Sequence, residues 1–317
     1  MAARIIQKAC FIAPSTCLPR AAKSTLNRTA RLLERGLGIP NIRQSPHVFS
    51  SDEEIDHVTA PAEERASFFK EVIRDCDLIL SVAGGTGAED LALEIDRKDY
   101  RVIRERRPLF IGFSDFTFLQ SEIYHATRVP LVYFPALKLG GGNFKNILDL
   151  IQGGEVSYQG SRWLTPPPQR SFSGIPIGGN LSTFVNFLNR KDPPRFNWRR
   201  HILFMEDANI DIEDLHRLMA ALRRHRVLDR IRGIVVGSLF AYNRNHNYRK
   251  NQKDALAFIA SYLADVIKAR RRVGSPLPIL SVSHFGHNIV RRPMAIPIGG
   301  RTRIFRSKRI VFRLGDR

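Results

Sequence analysis

Arg107-Pro-Leu-Phe-Ile-Gly-Phe-Ser-Asp-Phe-Thr-Phe-Leu119 holds the pattern that decides the fold. Leu109 to Phe113 is an apolar run of strand length, and Ser114-Asp115 follow at once. Phe116, Leu119, Ile123 and Ala126 then recur at helical spacing. Strand, sharp turn and helix in succession put Ser114 at the turn, beside the free N–H groups of a helix start. Such donors suit an oxyanion, so the geometry fits acyl transfer by a serine nucleophile. The same residues also fit a plain helix cap, because Ser and Asp are the commonest N-caps. A nucleophile needs a base and an orienting acid, which other parts of the chain must supply.

Upstream, Ala9 to Pro14 reads as a strand closed by Ala13-Pro-Ser15, with Ser15 placed to cap the next element. Thr25 to Leu37 reads as a helix with Leu26, Ala30, Leu33 and Leu37 on one side. Ile42 to His57 is polar and reads as a loop with one short strand. Pro61 to Arg74 reads as a helix: the proline and two glutamates suit its first turn, and Ala66, Phe69 and Ile73 share a face. Leu78 to Ala83 is a buried-type strand, Gly84-Gly-Thr-Gly87 a turn, and Ala88 to Ile95 a helix. This alternation predicts a parallel sheet with helices on both faces. In such folds chemistry gathers at the carboxyl ends of strands, where the glycine turn and Ser114 both sit. The glycine turn is neither a Walker A loop nor a GxGxxG fingerprint. It fits a close backbone approach to a ligand, and equally a simple tight turn.

Downstream, Leu139-Gly-Gly-Gly142 is a break, and the stretch around Pro166-Pro-Pro168 reads as a linker. The expected organisation is a first domain over 1–150, a linker over 151–172 and a second domain over 173–317. Within the second, Leu181 to Leu188 reads as a helix and His201 to Glu206 as a strand. Asp211 caps a helix with Leu215, Leu218, Met219 and Leu222 as its buried stripe. Gly233 to Leu239 reads as a strand, Ala255 to Ile267 as a helix, Pro278 to Val282 as a strand, and Thr302 to Leu314 as strands around a turn.

Histidine is the natural base near neutral pH. Of the nine histidines, His284 and His287 lie in a glycine-flanked turn after a buried-type strand. His216 and His225 belong to a helix, and His246 to the polar loop Tyr242 to Tyr248. A loop histidine is also compatible with a plain surface residue. Glu206 and Asp207 stand at a rigid strand end and qualify as orienting acids, or as carboxylates that satisfy local N–H groups. Ser114, Glu206 and His287 follow one another in the order Ser, acid, His, all at strand ends.

At 317 residues the chain can bury a large core, and two domains are expected rather than one. A hydrophobic fraction of 43% and a charged fraction of 25% fit a globular protein, and no apolar run reaches membrane-spanning length. The start lacks an apolar core of signal-peptide type, which points to a cytoplasmic protein. Cys10, Cys17 and Cys76 are odd in number, have no metal-ligand spacing and are expected to be reduced. No HExxH or paired His/Cys motif is present, so neither metal nor cofactor is expected. The net charge of +20 invites a nucleic-acid partner. The arginines are spread widely, however, with denser patches at Lys268–Arg272, Arg199-Arg200 and the tail, and no aromatic-basic signature. Solubility and steering of anionic substrates are the expectation, and nucleic acid is not expected as the primary partner.

Gly112-Phe-Ser-Asp-Phe-Thr117, Leu203-Phe-Met-Glu-Asp207 and Gly286-His287, with Pro297-Ile-Gly299 after it, resemble the LD-carboxypeptidase and microcin-immunity family of serine peptidases. Ala13-Pro-Ser15, Glu63-Glu-Arg65, Gly84-Gly-Thr-Gly87 and Gly178-Gly-Asn-Leu-Ser182 match its lesser motifs, in the family's order. The resemblance implies a flavodoxin-like amino-terminal domain and a smaller β-rich carboxy-terminal domain. It implies Ser114 as nucleophile, His287 as general base and Glu206 as its orienter. The oxyanion hole would use the N–H groups of Asp115 and of the Gly84-Gly85 turn. Ala83 and Thr86 depart from the Arg and Tyr often found in that turn. The activity implied is metal-free removal of terminal D-alanine from a muropeptide tetrapeptide in cell-wall recycling, by a cytoplasmic, often homodimeric enzyme. A sister branch hydrolyses microcin-type aminoacyl nucleotides. A reading from another class is a non-catalytic binding protein on the same scaffold, working through its basic surface.

Overall fold

The structure is a computed structural model that describes residues 5–40, 42–49, 59–208, 210–240, 248–287 and 292–315. In chain order the first elements are β1 (Ala9–Ile12), α1 (Lys23–Leu37), β2 (Arg43–Gln44), α2 (Ala62–Asp75), β3 (Leu78–Ser81), α3 (Ala88–Leu93) and α4 (Arg97–Arg106). They are followed by β4 (Leu109–Gly112), α5 (Thr117–Thr127), β5 (Leu131–Tyr133) and α6 (Gly141–Ile151). Next come β6 (Glu155–Gln159), β7 (Arg162–Trp163), β8 (Phe172–Asn180), α7 (Leu181–Asn189), β9 (His201–Ala208), α8 (Ile212–Arg224) and α9 (Val227–Arg230). The chain continues with β10 (Gly233–Phe240), α10 (Tyr248–Tyr262), α11 (Ala264–Arg272), β11 (Ile279–Ser281), β12 (Ile296–Ile298), β13 (Arg301–Ile304) and β14 (Arg309–Arg313).

Two compact units divide these elements: one runs to Glu155 and takes in Ala295–Gly300, and the other holds Val156–Met294 and Arg301–Phe312. The first unit is built on a sheet in the order β12-β5-β4-β3-β1-β2. β1 to β5 are parallel and follow the flavodoxin-like order 2-1-3-4-5, while β12 joins β5 antiparallel. β1, β3 and β4 are buried along their whole length, as strands covered on both faces must be. The second unit holds a sheet in the order β6-β14-β13-β8-β9-β10-β11-β7. Its centre, β8 to β11, is parallel, with β13 and β7 antiparallel beside it.

The stretch 151–172, expected to be a linker, carries β6 and β7, and 295–300, expected in the second domain, belongs to the first unit. A second correction concerns the cysteines. Cys10 in β1 and Cys76, which closes α2, form a disulfide with Cα atoms 6.3 Å apart, and Cys17 is free and buried. Pairing of Ala9 with Leu78 brings the two cysteines side by side, although 66 positions separate them in sequence. The helix expected over 88–95 ends at Leu93, and α4 follows it as an element that the periodicity does not predict. The helix expected over 255–267 breaks at Leu263 into α10 and α11. Leu218 is half-buried, whereas Leu215, Met219 and Leu222 are buried. No described helix is long and apolar enough to cross a membrane.

Asp211 forms a full capping box at the start of α8: its side chain accepts from Asp214 N–H at 2.8 Å, and Asp214 accepts from Asp211 N–H. Asp211→Ala removes one side of that box. A loss of about 1 kcal/mol is expected in urea unfolding, with the slope of the transition unchanged.

Candidate active site

In the first unit β1, β3 and β4 are neighbours, so the loops at their carboxyl ends share one edge of the sheet. Ser114 leaves β4 with φ +60, a conformation that non-glycine residues rarely adopt. This is the strained strand-to-helix turn that lifts a serine above a sheet. Its N–H donates to Tyr133 Oη at 3.2 Å. Gly84, in the loop after β3, lies directly under it: a Cβ there would stand 2.5 Å from Ser114 Cβ and 2.8 Å from Oγ. Only glycine lets the two turns meet.

Asp115 is expected to offer its backbone N–H, and its side chain has a further role. Ser15 Oγ, from the loop after β1, donates to Asp115 Oδ2 at 2.6 Å, and Ala88 N–H, at the start of α3, donates to the same oxygen at 2.9 Å. Ser15 therefore ties the serine turn rather than capping a helix. Thr16 N–H donates to Gly84 O at 3.1 Å, and Thr86 N–H donates to Thr16 Oγ1 at 3.2 Å. Arg65, buried on α2, completes the clasp: Nη1 donates to Pro14 O, and to Gly87 O at 2.8 Å, while Nε donates to Ala60 O at 2.7 Å. Burial lowers the Arg65 pKa, with the charge of Asp90 opposing it. Burial likewise raises the Asp115 carboxyl, and its two hydrogen bonds pull the other way.

In the second unit Glu206 lies on β9 and is 0% exposed. Its Oε2 stands 2.7 Å from His287 Nδ1 and accepts from the His287 backbone N–H at 3.2 Å. An ionised carboxylate only accepts, so the proton belongs on Nδ1 and leaves Nε2 as the basic atom. The loop is held from β10. Its pairing with β9 shifts register between Val236 and Leu239, and Ser238 N–H there donates to Phe285 O at 2.8 Å. Gly286 has φ +127, and a Cβ would meet Ser238 Cβ at 2.6 Å and Glu206 Oε2 at 3.1 Å.

Asp207, the second candidate acid, faces different partners. Its Oδ1 accepts from Asn180 Nδ2 at 2.9 Å and Ala208 N–H at 2.7 Å; Oδ2 accepts from Ser182 N–H at 2.8 Å and Oγ at 2.6 Å. Asn180 Oδ1 in turn caps α7 through Thr183 N–H at 3.0 Å. Burial raises the Asp207 carboxyl, and the Glu206 charge adds to the rise. Of the other histidines, His216 packs against Phe258 and Tyr262, and His225 Nε2 meets Asn189 Oδ1 at 2.9 Å. His246 lies outside the described residues. Ser114 thus stands in the first unit with the glycine turn, and the Glu206–His287 pair in the second.

Residues 10–134 match the LD-carboxypeptidase N-terminal domain, and residues 173–304 match the LD-carboxypeptidase C-terminal domain. The chain belongs to the LD-carboxypeptidase family. It is a serine-type carboxypeptidase, a hydrolase. It is 26% identical to the "Probable murein peptide carboxypeptidase" of Bacillus subtilis, over 75% of this chain and 72% of that protein. The solved microcin C7 self-immunity protein MccF, in complex with aspartyl sulfamoyl adenosine, matches at TM-score 0.74 and 21% identity, over 100% of this chain and 99% of the other. The muramoyltetrapeptide carboxypeptidase of Oxalobacter formigenes matches at TM-score 0.70 and 20% identity, over 98% of this chain and 99% of that one. Both structures share the fold of this LD-carboxypeptidase chain.

Gly286→Ala forces a side chain into a left-handed position already filled by Ser238, so a loss of about 2 kcal/mol is expected in urea unfolding. Asp115 and Asp207 make stability depend on pH. A carboxyl raised in the folded state contributes stability below its ordinary value of 3.8 and loses it as pH rises through the raised value. Wild type should therefore lose stability relative to Asp207→Asn as pH climbs from about 3.8. Urea midpoints across that range check this; a pH-independent difference would contradict it.

Proposed function

We propose that Ser114, His287 and Glu206 act together as the catalytic triad, with Ser114 as nucleophile, His287 as general base and Glu206 as its orienter. The observation that carries the reading is the 2.7 Å bond between His287 Nδ1 and the fully buried Glu206 carboxylate. A buried carboxylate is costly unless paired, and this one holds an imidazole in the tautomer that a base requires. In the proposed reaction His287 Nε2 takes the Ser114 hydroxyl proton as Oγ attacks the scissile carbonyl carbon. The N–H groups of Asp115 and the Gly84-Gly85 turn stabilise the resulting oxyanion. The imidazolium returns its proton to the leaving amine, and the acyl-enzyme forms. Water, deprotonated by the same imidazole, releases the acid and restores the serine.

The substrate proposed is a muropeptide tetrapeptide, cleaved at the L,D bond to release terminal D-alanine during cell-wall recycling. Support comes from the Bacillus subtilis relative, whose name specifies a murein peptide. A second reading, hydrolysis of a microcin-type aminoacyl nucleotide, is supported by a 27% identity to MccF of Escherichia coli over 55% of this chain and 60% of that protein. A cytoplasmic homodimer is part of the same proposal.

Ser114→Ala should lower hydrolysis of muramoyl tetrapeptide by about 10⁴-fold or more while thermal unfolding stays unchanged. Full activity in that variant would remove Ser114 from the mechanism. Parallel assays of muramoyl tetrapeptide and an aminoacyl sulfamoyl adenylate separate the two substrates.

A further inference from the structure

The second unit distributes its charge unevenly. β8, β9, β10 and β11 run parallel, so their amino ends line up: Ile175 pairs with His201, Gly233 with Ile202, and Ile234 with Ile279. β13 ends there too, because Ile304 pairs with Phe172, the first residue of β8. Side-chain packing agrees. A Cβ at Gly174 would meet the Arg200 carbonyl at 3.1 Å, and one at Gly233 would meet the Phe172 ring at 2.8 Å and Pro278 at 3.3 Å. One edge of the sheet is thus formed by five chain segments: 170–173, 198–201, 229–233, 268–278 and 303–309. These segments contain thirteen cationic side chains, eleven of them arginine, against a single carboxylate, Asp229.

Arg199, Arg200, Arg230, Arg271 and Arg272 are exposed. Arg270 sits among them, donating to Ile231 O at 2.6 Å and to Ser275 O at 2.9 Å. Arg303 and Arg309 lie over the Phe305 ring, at 4.9 and 4.6 Å from its centroid. Complementing a helix dipole accounts for the last turn of α11 and for nothing at Arg199 or the β13–β14 turn. Nor does the cluster lie at the proposed catalytic end. β9 starts at His201 on the basic edge and reaches Glu206 about 17 Å further along the strand.

We propose that this arginine edge docks the phosphodiester backbone of a nucleic acid. Guanidinium forks fit phosphate oxygens bidentately, and the edge gathers eleven of them with one carboxylate among them. The Arg303–Phe305–Arg309 stack adds planar groups of the kind that meet bases. Five strands side by side span about 19 Å, enough to track several phosphates. A bilayer is the less suitable partner, because Val273 is the one large apolar side chain exposed on this edge among the described residues. The proposal is independent of the triad.

The test is fluorescence anisotropy with labelled single-stranded and duplex oligonucleotides of about 20 nucleotides per strand. Wild type should bind with a log–log salt slope of about −4. Arg199→Glu/Arg271→Glu/Arg272→Glu should weaken binding about 100-fold at low salt, with hydrolysis and thermal midpoint unchanged. A charge-matched control, Arg28→Glu/Arg31→Glu/Arg35→Glu on the exposed face of α1, should weaken it far less. No salt-dependent binding by wild type, or an equal loss in both triple variants, overturns the proposal. Binding to phosphatidylserine vesicles that oligonucleotide fails to compete assigns the edge to lipid and overturns it as well.

Discussion

A single half-buried carboxylate joins the three loops around Ser114. Asp115 stands in the loop after β4, and accepts from Ser15 in the loop after β1 and from Ala88 at the end of the loop after β3. Removing a charge from water costs several kcal/mol, and each charge-assisted hydrogen bond offsets roughly 1.5–3 of it. Burial raises the Asp115 carboxyl and the two donors oppose that rise, so the carboxylate is favoured where both donors are in place. That condition makes the tie specific: a loop that drifts leaves either a bare charge or a bare N–H. Arg65 applies the same logic from beneath, directing its donors at the carbonyls of Pro14, Gly87 and Ala60. A strained serine at φ +60 persists because its surroundings overdetermine it.

The second unit solves a related problem on one strand. Glu206 and Asp207 are consecutive on β9, so their side chains point to opposite faces. Both are buried, and the Glu206 charge adds to the cost of ionising Asp207. Glu206 is offset by His287, through the backbone and the ring; Asp207 is offset by Asn180, Ser182 and Ala208. One acid thereby orients an imidazole and its neighbour fixes the start of α7. Exchanging their roles would require a one-residue slip of β9, which would break every pair with β8.

Much of this was legible in the sequence because it rests on local patterns. The apolar runs at Leu78 and Leu109, the stripe of α2 and the Asp211 cap each announce themselves within a few residues. α4 did not, because Arg97 to Arg106 buries little beyond Ile103 and its signal is the Asp96–Asp99 capping box. β6 and β7 were hidden by prolines and by strands that pair only with distant partners. The Cys10–Cys76 bond depends on strand adjacency that a spacing of 66 residues does not express. At the site, Glu206 and His287 were readable as candidates, since Glu206 follows the apolar run Ile202–Met205 and His287 lies in the glycine-flanked turn after another apolar run. The side-chain roles of Ser15, Asp115 and Arg65 were not, because a hydrogen bond between loops leaves no periodicity.

The same topological rule that gathers catalytic loops also gathers charge. In a parallel sheet every strand starts at one edge and ends at the other, so residues far apart in sequence meet at whichever edge their strand position dictates. Glu206 and the loop carrying His287 come from the carboxyl ends of β9 and β11. Arg199, Arg232 and Arg272 come from the amino ends of β9, β10 and β11. In the linear sequence those arginines look dispersed, and a dispersed charge invites a solubility explanation. Folded, they gather at one edge of the sheet, and repulsion among them is a standing cost. Solubility alone would be served better by separating them. Cations held at one edge against their own repulsion fit a polyanion that neutralises several of them at once.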